Sequence, residues 1–542
     1  MKYIAKPAII LMLVLLVGLF AGCGRKTEKA DTGAAKPAAG GKISVGSAVE
    51  PETWNPLLSE QMAVQEIGRL LFSGLLIQND KGEWLPDLAA AVPTTENGGI
   101  SGDGLVVTYR LKPGLKWHDG QPVSARDVQF TFDFILRNRT RVAWRDGYEK
   151  IQSVSAPDDA TVVIRLAEPY AYVYHLFPCI LPRHRSADFA DLTLQNFNRL
   201  PVGSGPFVLK EWRRGDALVF APNPSYYQGA PLLESLTYKI VTDRQIVLSQ
   251  LKIGEVDILN NIGFDQLDQV RAVTGVNTFI TTGTIWEHLD FNLDLPLFAD
   301  VRVRQAVNLA IDRRELIEKA LKNAAFPAYT DTHPYSWAYL ALPQQPVRNL
   351  QQAKELLQAA GWQPGYDGIQ ALSGRRLSFT VQLPDNDKPR ELAAETIARQ
   401  LREAGIEMRV QRVAAKAFFG EILPNRRFEA VLFAWVNSTE PNSFDLWHSR
   451  RIPGPANRGV GKNYAGWRSA EVDALLENEQ RTRNQDSRRD LLRRLQEKLV
   501  AEVPVIPLYY RAEIAAAKRS VANFKPNPFA GNLWNAWEWG LR

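Results

Sequence analysis

A chain of 542 residues is too long to fold around one core, and two or three compact units are expected. Hydrophobic residues make up 45% and charged residues 23%, an ordinary globular balance that excludes disorder as the default. The net charge of +6, spread over 65 basic and 59 acidic residues, is too dilute to argue for a nucleic-acid partner.

Lys2 and Lys6 precede an apolar run, residues 8–20, which is shorter than the ~20 residues a membrane-spanning helix needs and fits the apolar part of a secretory signal. Residues 24–41 are rich in Ala, Gly, Lys and Thr without apolar periodicity and read as a flexible tether. Order is expected to begin at a short strand, residues 43–46, which runs into a loop forced by Pro51 and Pro56. A helix then carries Val64, Ile67, Leu70 and Leu71 at core spacing.

A strand at residues 106–111 turns at Pro113-Gly114 into a polar knot, Trp117-His118-Asp119-Gly120. Ser124 and Asp127 then predict the capped start of a helix with Val128, Phe132, Ile135 and Leu136 on one face. A hydrogen-bonded turn that fixes this strand–helix corner explains the knot better than catalysis does. Residues 201–207 form a glycine-rich turn that enters a strand at 208–212. It is no phosphate loop, because no Gly-Lys-Ser/Thr follows, and Ser204 lacks the frame of a nucleophile elbow.

Farther on, a helix bearing Leu248 and Leu251 stops at Gly254 and feeds a strand at Val256 to Ile258. Residues 288–292 predict a strand of alternating polarity. Asp300 caps the next helix, and Asp312 with Glu315 predicts a second capping box. Helices at 349–360 and 390–404 end before Gly361 and Gly405, and the latter leads into a strand with Ile406, Met408 and Val410. Ser469 caps another helix. A last one, 488–503, stops at Pro504 ahead of a buried strand, 505–510. This helix–glycine–strand grammar indicates α/β lobes.

The six histidines, His118, His175, His184, His288, His333 and His448, are scattered, and Cys23 and Cys179 are the only cysteines. The sequence therefore carries no zinc pattern, and no catalytic or cofactor signature survives inspection. The best ligand stretch is 428–448. A buried strand, Val431-Leu432-Phe433-Ala434, empties into a loop crowded with Trp435, Asn437, Ser438, Glu440 and Asn442. Trp435 suits a core as well as a stacked ligand, and Glu440 suits a solvated loop as well as a ligand anchor.

Residues 116–128, KWHDGQPVSARDV, resemble the signature of the family-5 extracellular solute-binding proteins, the oligopeptide-, dipeptide- and nickel-binding receptors of ABC importers. Residues 84–89, 201–207, 223–227, 301–306 and 505–510 resemble other blocks of that family, so the resemblance covers roughly residues 43–539. Leu19-Phe20-Ala21-Gly22-Cys23 resembles a bacterial lipobox, with Cys23 acylated. The resemblance implies an α/β, two-lobed periplasmic-binding-protein-like fold (type II, cluster C) with an extra subdomain inserted in the first lobe. The implied domains are a signal peptide (1–22), a tether (23–41), the first lobe (42–77, 202–297 and 505–542), its inserted subdomain (78–201) and the second lobe (298–504). The hinge is expected near residues 290–299 and 504–510.

By this resemblance the chain is a lipid-anchored, monomeric extracytoplasmic receptor without cofactor. It captures short peptides by hinge closure and delivers them to an ABC permease and ATPase. The alternatives are a receptor for a nickel or metal chelate or another non-peptide solute and, more remotely, an anchored hydrolase. In peptide-binding relatives the strand edge at Trp435 and Val436 pairs with the ligand backbone, and an aspartate a few residues on neutralises the ligand's α-ammonium. Here no carboxylate lies between Trp435 and Glu440, and Asn437 occupies the aspartate's place. An amide supplies no Coulomb term, so either Glu440 takes over or the ligand lacks a cationic N-terminus. The resemblance also implies that Glu50, Trp54 and Asn55 face the cleft from the first lobe and that Trp286 and His288 approach it near the hinge. Trp54 and Trp286 suit a core equally well.

Overall fold

The computed structural model describes residues 39–542 apart from 60, 139–141, 144, 146, 190–200, 343–345, 442, 455–456, 458 and 483. The expected signal peptide, Cys23 and most of the expected tether lie outside the described residues, as does Asn442.

Eleven strands of the described residues form one mixed sheet. In chain order they are β1 (Lys42–Ser47), β2 (Phe207–Arg213), β3 (Ala217–Pro222), β4 (Ser235–Ile240), β5 (Ile258–Leu259) and β6 (Val276–Phe291). They continue with β7 (Ala325–Pro327), β8 (Ser378–Pro384), β9 (Glu407–Val413), β10 (Ala430–Val436) and β11 (Val505–Lys518). The spatial order is β9-β8-β10-β6-β11-β5-β1-β4-β3-β2, and β7 adds to β11.

Both β6 and β11 are much longer than the pattern of residues 288–292 and 505–510 predicts. Residues 277–284 are too rich in Thr for apolar alternation, and it is the partner strand, far away in sequence, that makes them a strand. The two strands pair antiparallel from Val276 and Lys518 to Thr282 and Ala512, where the register shifts, and the ladder resumes at Trp286 and Tyr510. Above the shift, Ile514 and Ala516 pack with Leu248, Leu251 and Val270. Below it, Leu289, Phe291, Ile506 and Leu508 join a separate core with Val303, Val307, Ile397 and Leu432. Residues 286–291 are buried without interruption, because β6 lies between β10 and β11 and is covered on both faces. The alternating polarity of residues 288–292 therefore brings no alternation of burial along the strand.

The strand–helix corner forms as the sequence predicts. The Ser124 backbone N–H donates to Asp127 Oδ2 at 2.7 Å, and the helix runs Ala125–Arg137. Asp127 Oδ1 also accepts the Arg183 N–H at 2.8 Å, which ties the helix start to a distant loop. Trp117 is buried, and His118 clamps the glycine-rich turn. Its Nδ1 accepts from the Gly203 N–H at 3.1 Å, so its Nε2–H donates to Gly205 O at 3.1 Å. The turn in turn covers the end of the Met62–Leu71 helix, with the Gly205 N–H donating to Leu71 O at 2.9 Å. The knot is thus structural. Of the expected capping box at Asp312 only half forms. Asp312 Oδ1 accepts the Glu315 N–H at 3.0 Å, but the Asp312 N–H donates to Gln400 Oε1, also at 3.0 Å.

Two outcomes are expected here. A Cβ at Gly203 would lie 1.7 Å from Leu71 O, so Gly203→Ala should destabilise the protein by at least about 3 kcal/mol in urea unfolding. Burial also pushes the His118 imidazole down to about 4, so the unfolded chain takes up a proton that the native one refuses. Stability from this group is present above its ordinary value of 6.5 and lost as pH falls toward 4. The stability difference between wild type and His118→Gln should narrow over that window, by about 1.4 kcal/mol per pH unit at most.

Candidate functional site

Strand β10 supplies the most ligand-ready backbone in the molecule. Along one edge it pairs with β6 from Ala430 to Val436. Along the other, β8 reaches it only at Ala430 and Val431. From Leu432 to Val436 that second edge has no strand partner among the described residues, and Val436 is 74% exposed. Trp435 lies half-buried beside it, stacked on Tyr464 at 5.9 Å and 14°, with Lys462 Nζ 5.4 Å from its ring. A platform of this kind can hold an extended chain by main-chain hydrogen bonds and offer its side chains an aromatic wall.

The loop after β10 is committed to the protein itself. The Asn437 N–H donates to Thr284 O at 2.8 Å, and its Nδ2 donates to Asp331 O at 2.7 Å and Tyr510 Oη at 3.1 Å. Asn437 therefore fixes the hinge side of the loop, and its amide donors are used. Glu440 accepts from Trp337 Nε1 at 2.8 Å and pairs with Arg488 at 2.7 Å, and Arg488 also holds Glu479. Burial pushes the Glu440 carboxyl up, against the pull of Arg488 and Trp337. It is neither a solvated loop acid nor an open anchor. Of the expected second-lobe residues, only Trp435 and Val436 remain presented to a ligand.

The first-lobe expectations change in the same direction. Glu50 Oε1 accepts from Trp212 Nε1 and the Gly215 N–H, both at 3.1 Å, and so pins the β2–β3 hairpin. Trp54 is core, edge-on to Trp212 at 4.6 Å. Asn55 is fully buried, and its Oδ1 caps the Leu57 N–H at 3.0 Å. Trp286 and His288 are fully buried too, with rings 4.3 Å apart and His288 Nδ1 2.5 Å from Asp290 Oδ1. Trp54, Asn55, Trp286 and His288 are all interior residues.

A clasp closes across the loop. Gln78 Nε2 donates to Thr439 Oγ1 at 2.5 Å, and Thr439 Oγ1 donates to Gly82 O at 3.4 Å. Tyr172 Oη donates to Pro441 O, and Phe529 lies 5.3 Å from the His333 ring. The first-lobe rim and the second-lobe loop are thus in contact.

Sequence reasoning missed the charges at the crossing. Glu287, fully buried on β6, receives Arg390 at 2.9 and 3.0 Å and Arg511 Nε at 2.8 Å, while Arg511 also bonds Asp387 at 2.6 Å. The local sequence carries no distinct signal for it, because Glu287 stands beside His288 and Asp290 in a stretch of mixed polarity and its arginine partners are more than 100 residues away.

Residues 83–452 match the model for bacterial extracellular solute-binding proteins, family 5 (middle). The chain belongs to that family. It is similar to the oligopeptide-binding protein AppA of Bacillus subtilis (strain 168), 29% identical over 550 residues and 98% of each chain. The structure of that protein in complex with a nonapeptide covers 94% of this chain and all of its own, with a TM-score of 0.69 at 29% identity. NikZ from Campylobacter jejuni in complex with Ni(L-His) gives a TM-score of 0.71 at 25% identity, covering 92% of this chain and 99% of its own. The fold is accordingly the two-lobed, α/β fold of family-5 binding proteins. Among the described residues no helix is long and apolar enough to cross a membrane.

Replacing Glu287 by Gln leaves Arg390 and Arg511 short of their buried counter-charge. A loss of about 3–5 kcal/mol is expected, measured by denaturant unfolding of wild type and Glu287→Gln.

Proposed function

We propose that this family member is an extracytoplasmic receptor that captures short peptides between its lobes and delivers them to an ABC-type permease. The observation that carries the reading is the unpartnered β10 edge beside the Trp435–Tyr464 stack, behind the clasp at Thr439. A peptide can extend β10 as an added strand, an arrangement that uses no acid–base pair. The peptide cargo named for the Bacillus subtilis relative, whose structure holds a nonapeptide, supports this choice.

Capture would work by closure. The two strands that join the lobes lose their ladder between Thr282 and Trp286, and we place the hinge there, several residues before the stretch the sequence suggests. The first lobe and its inserted subdomain then end near residue 284, and the second lobe runs to about residue 510. A ligand on β10 stabilises the closed state because only that state covers it. We further propose that residues 1–22 are a cleaved signal, that Cys23 carries the lipid that tethers the protein, and that it acts as a monomer without cofactor.

The first test is native mass spectrometry of the soluble form starting at Gly24, purified without denaturation. A ladder of co-purified short peptides is expected. A single non-peptide mass or a nickel chelate would overturn the peptide cargo, and turnover of an added substrate library would overturn the receptor reading. A second test concerns the clasp. A Cβ at Gly82 would lie 2.3 Å from Thr439 Cγ2, so Gly82→Ala should hold the mouth ajar and speed ligand release by about tenfold in stopped-flow experiments. For the anchor, Cys23→Ala should move the protein from the membrane fraction to the soluble one, and an unchanged membrane fraction would refute it.

A further inference from the structure

In the first lobe, β1 lies between β4 and β5 and is parallel to both. The connection from β4 to β5 passes through the Arg244–Ile253 helix, so chain direction around β1 switches sides there. Crevices outside the carboxyl ends of strands at such a switch are where open α/β sheets bind ligands. Pairing of Val45 with Tyr238 and Ile258, and of Ile258 with Ala517, sets the faces by alternation. Ser47, Tyr238, Asn260 and Glu513 then share the face that the Met62–Leu71 helix covers.

Glu66 of that helix faces them and is only 2% exposed. Four polar atoms meet here without hydrogen-bond partners, namely Glu66 Oε2, Tyr238 Oη, and Nδ2 and Oδ1 of Asn260. Asn260 and Tyr238 are themselves almost wholly buried. Glu513, on β11 two residues beyond Arg511, keeps partial exposure. Neither Glu66 nor Glu513 has an ion-pair partner among the described residues.

This is an unusual way to bury acids. Glu287 and Glu440 lie in the same molecule with arginines in place, whereas Glu66 and Glu513 have only polar neighbours, Asn260, Asn532 and Tyr238, and no counter-charge among the described residues. A group with several N–H donors and a positive charge can donate to Glu66 Oε2, Tyr238 Oη and Asn260 Oδ1 and balance the carboxyl charge, while Asn260 Nδ2, itself a donor, needs an acceptor instead. No three His, Cys, Asp or Glu side chains gather as a metal site among the described residues, which favours an organic cation over a bare metal ion.

We infer that Glu66 and Glu513, with Asn260 and Tyr238, form a first-lobe subsite for the ammonium or guanidinium group of the ligand. The inference rests on the peptide-receptor reading for its cargo. It also accounts for the second lobe's lack of an open acid, since Asn437 is neutral and Glu440 is already paired.

A proton linkage follows. Burial and the neighbouring Glu513 push Glu66 up to about 8, with weak help from Asn532 and Asn260 in the other direction, and burial pushes Glu513 up to about 7. The titratable groups facing Glu66 are Glu513 and Tyr238. Empty, the crevice therefore holds protons that the unfolded chain would release. The stability this lends is fully present below the ordinary carboxyl value of 4.5 and is lost as pH rises toward 8. A bound cation reverses the preference, so binding releases protons and tightens as pH rises through 7 and 8.

The test is calorimetry on ligand-free protein at pH 6 and pH 8.5, in buffers of different ionisation enthalpy. The probes are trialanine, N-acetyl-trialanine, the tripeptide with lysine at its centre, and agmatine. The wild type should prefer the lysine-centred tripeptide, whose side chain stays cationic at pH 8.5, over N-acetyl-trialanine by at least about tenfold at that pH, less at pH 6, with net proton release, whereas trialanine loses its own charge near pH 8 and is read at pH 6. In Glu66→Gln and Glu513→Gln the cationic-to-neutral affinity ratio and the proton release should both collapse. Peptide binding that is indifferent to charge, or a ratio unmoved by both variants, would overturn the subsite and leave the peptide reading standing. Agmatine binding that is lost in Glu66→Gln, without binding of any tripeptide, would keep the subsite and sink the peptide cargo. Should both variants misfold, proton release by the wild type still decides, and its absence refutes the subsite.

Discussion

The backbone passes from one core to the other along β6 and returns along β11, and everything that distinguishes a receptor from two fused domains depends on that ribbon. Its ladder is broken between Thr282 and Trp286, and the register shifts again between Glu287 and His288. Just past the break, Glu287 binds Arg390 and Arg511 in a desolvated network that Asp387 extends. Buried pairs of this kind add little net stability, but they fix geometry, because every alternative arrangement strands a charge. The second-lobe end of the ribbon is therefore stiff, and bending concentrates in a few residues around Gly283. Asn437 reinforces that end by bonding Thr284, Asp331 and Tyr510.

Much of the fold was legible because local signals agreed with one another. Helices announced by Asp300, Ser469 and Ser124 start where those residues stand, and those that end at Gly254, Gly361 and Gly405 stop there or within two residues. The polar knot at Trp117–Gly120 was readable as a clamp for the same reason. What escaped was set by distant partners. The threonine-rich half of β6 carries no apolar period and is a strand only because β11 lies beside it. Asp312 and Glu315 were at capping distance, yet Gln400 from another helix took one of the two bonds.

The candidate site divides along the same line. That β10 would present an edge could be read from a buried run that breaks at Trp435. The committed roles of Glu50, Asn437 and Glu440 could not, because Trp212, Asp331, Trp337 and Arg488 are 48 or more residues away in sequence and adjacent only in space. Glu66 did leave a trace. It lies three residues after Ala63 and four before Leu70, on the apolar stripe of its helix, where an acid has no water to face. Two kinds of buried acid thus coexist here. One kind is matched by arginine and holds the structure. The other is unmatched, and an unmatched buried acid is a vacancy in charge that a ligand can fill.

The inserted subdomain shares one continuous core with the first lobe, so Trp117, Val128 and Ile164 pack in the same cluster as Ile43 and Phe207. It cannot move independently of that lobe. Tyr172, at its far side, meets Pro441, and with the hinge we propose at the break in the ribbon the insertion would act as a lever arm. A slight twist near Gly283 is multiplied along that arm into a large excursion at the rim. The outline that a membrane partner meets therefore differs sharply between empty and loaded protein, although the bond rotations responsible are few.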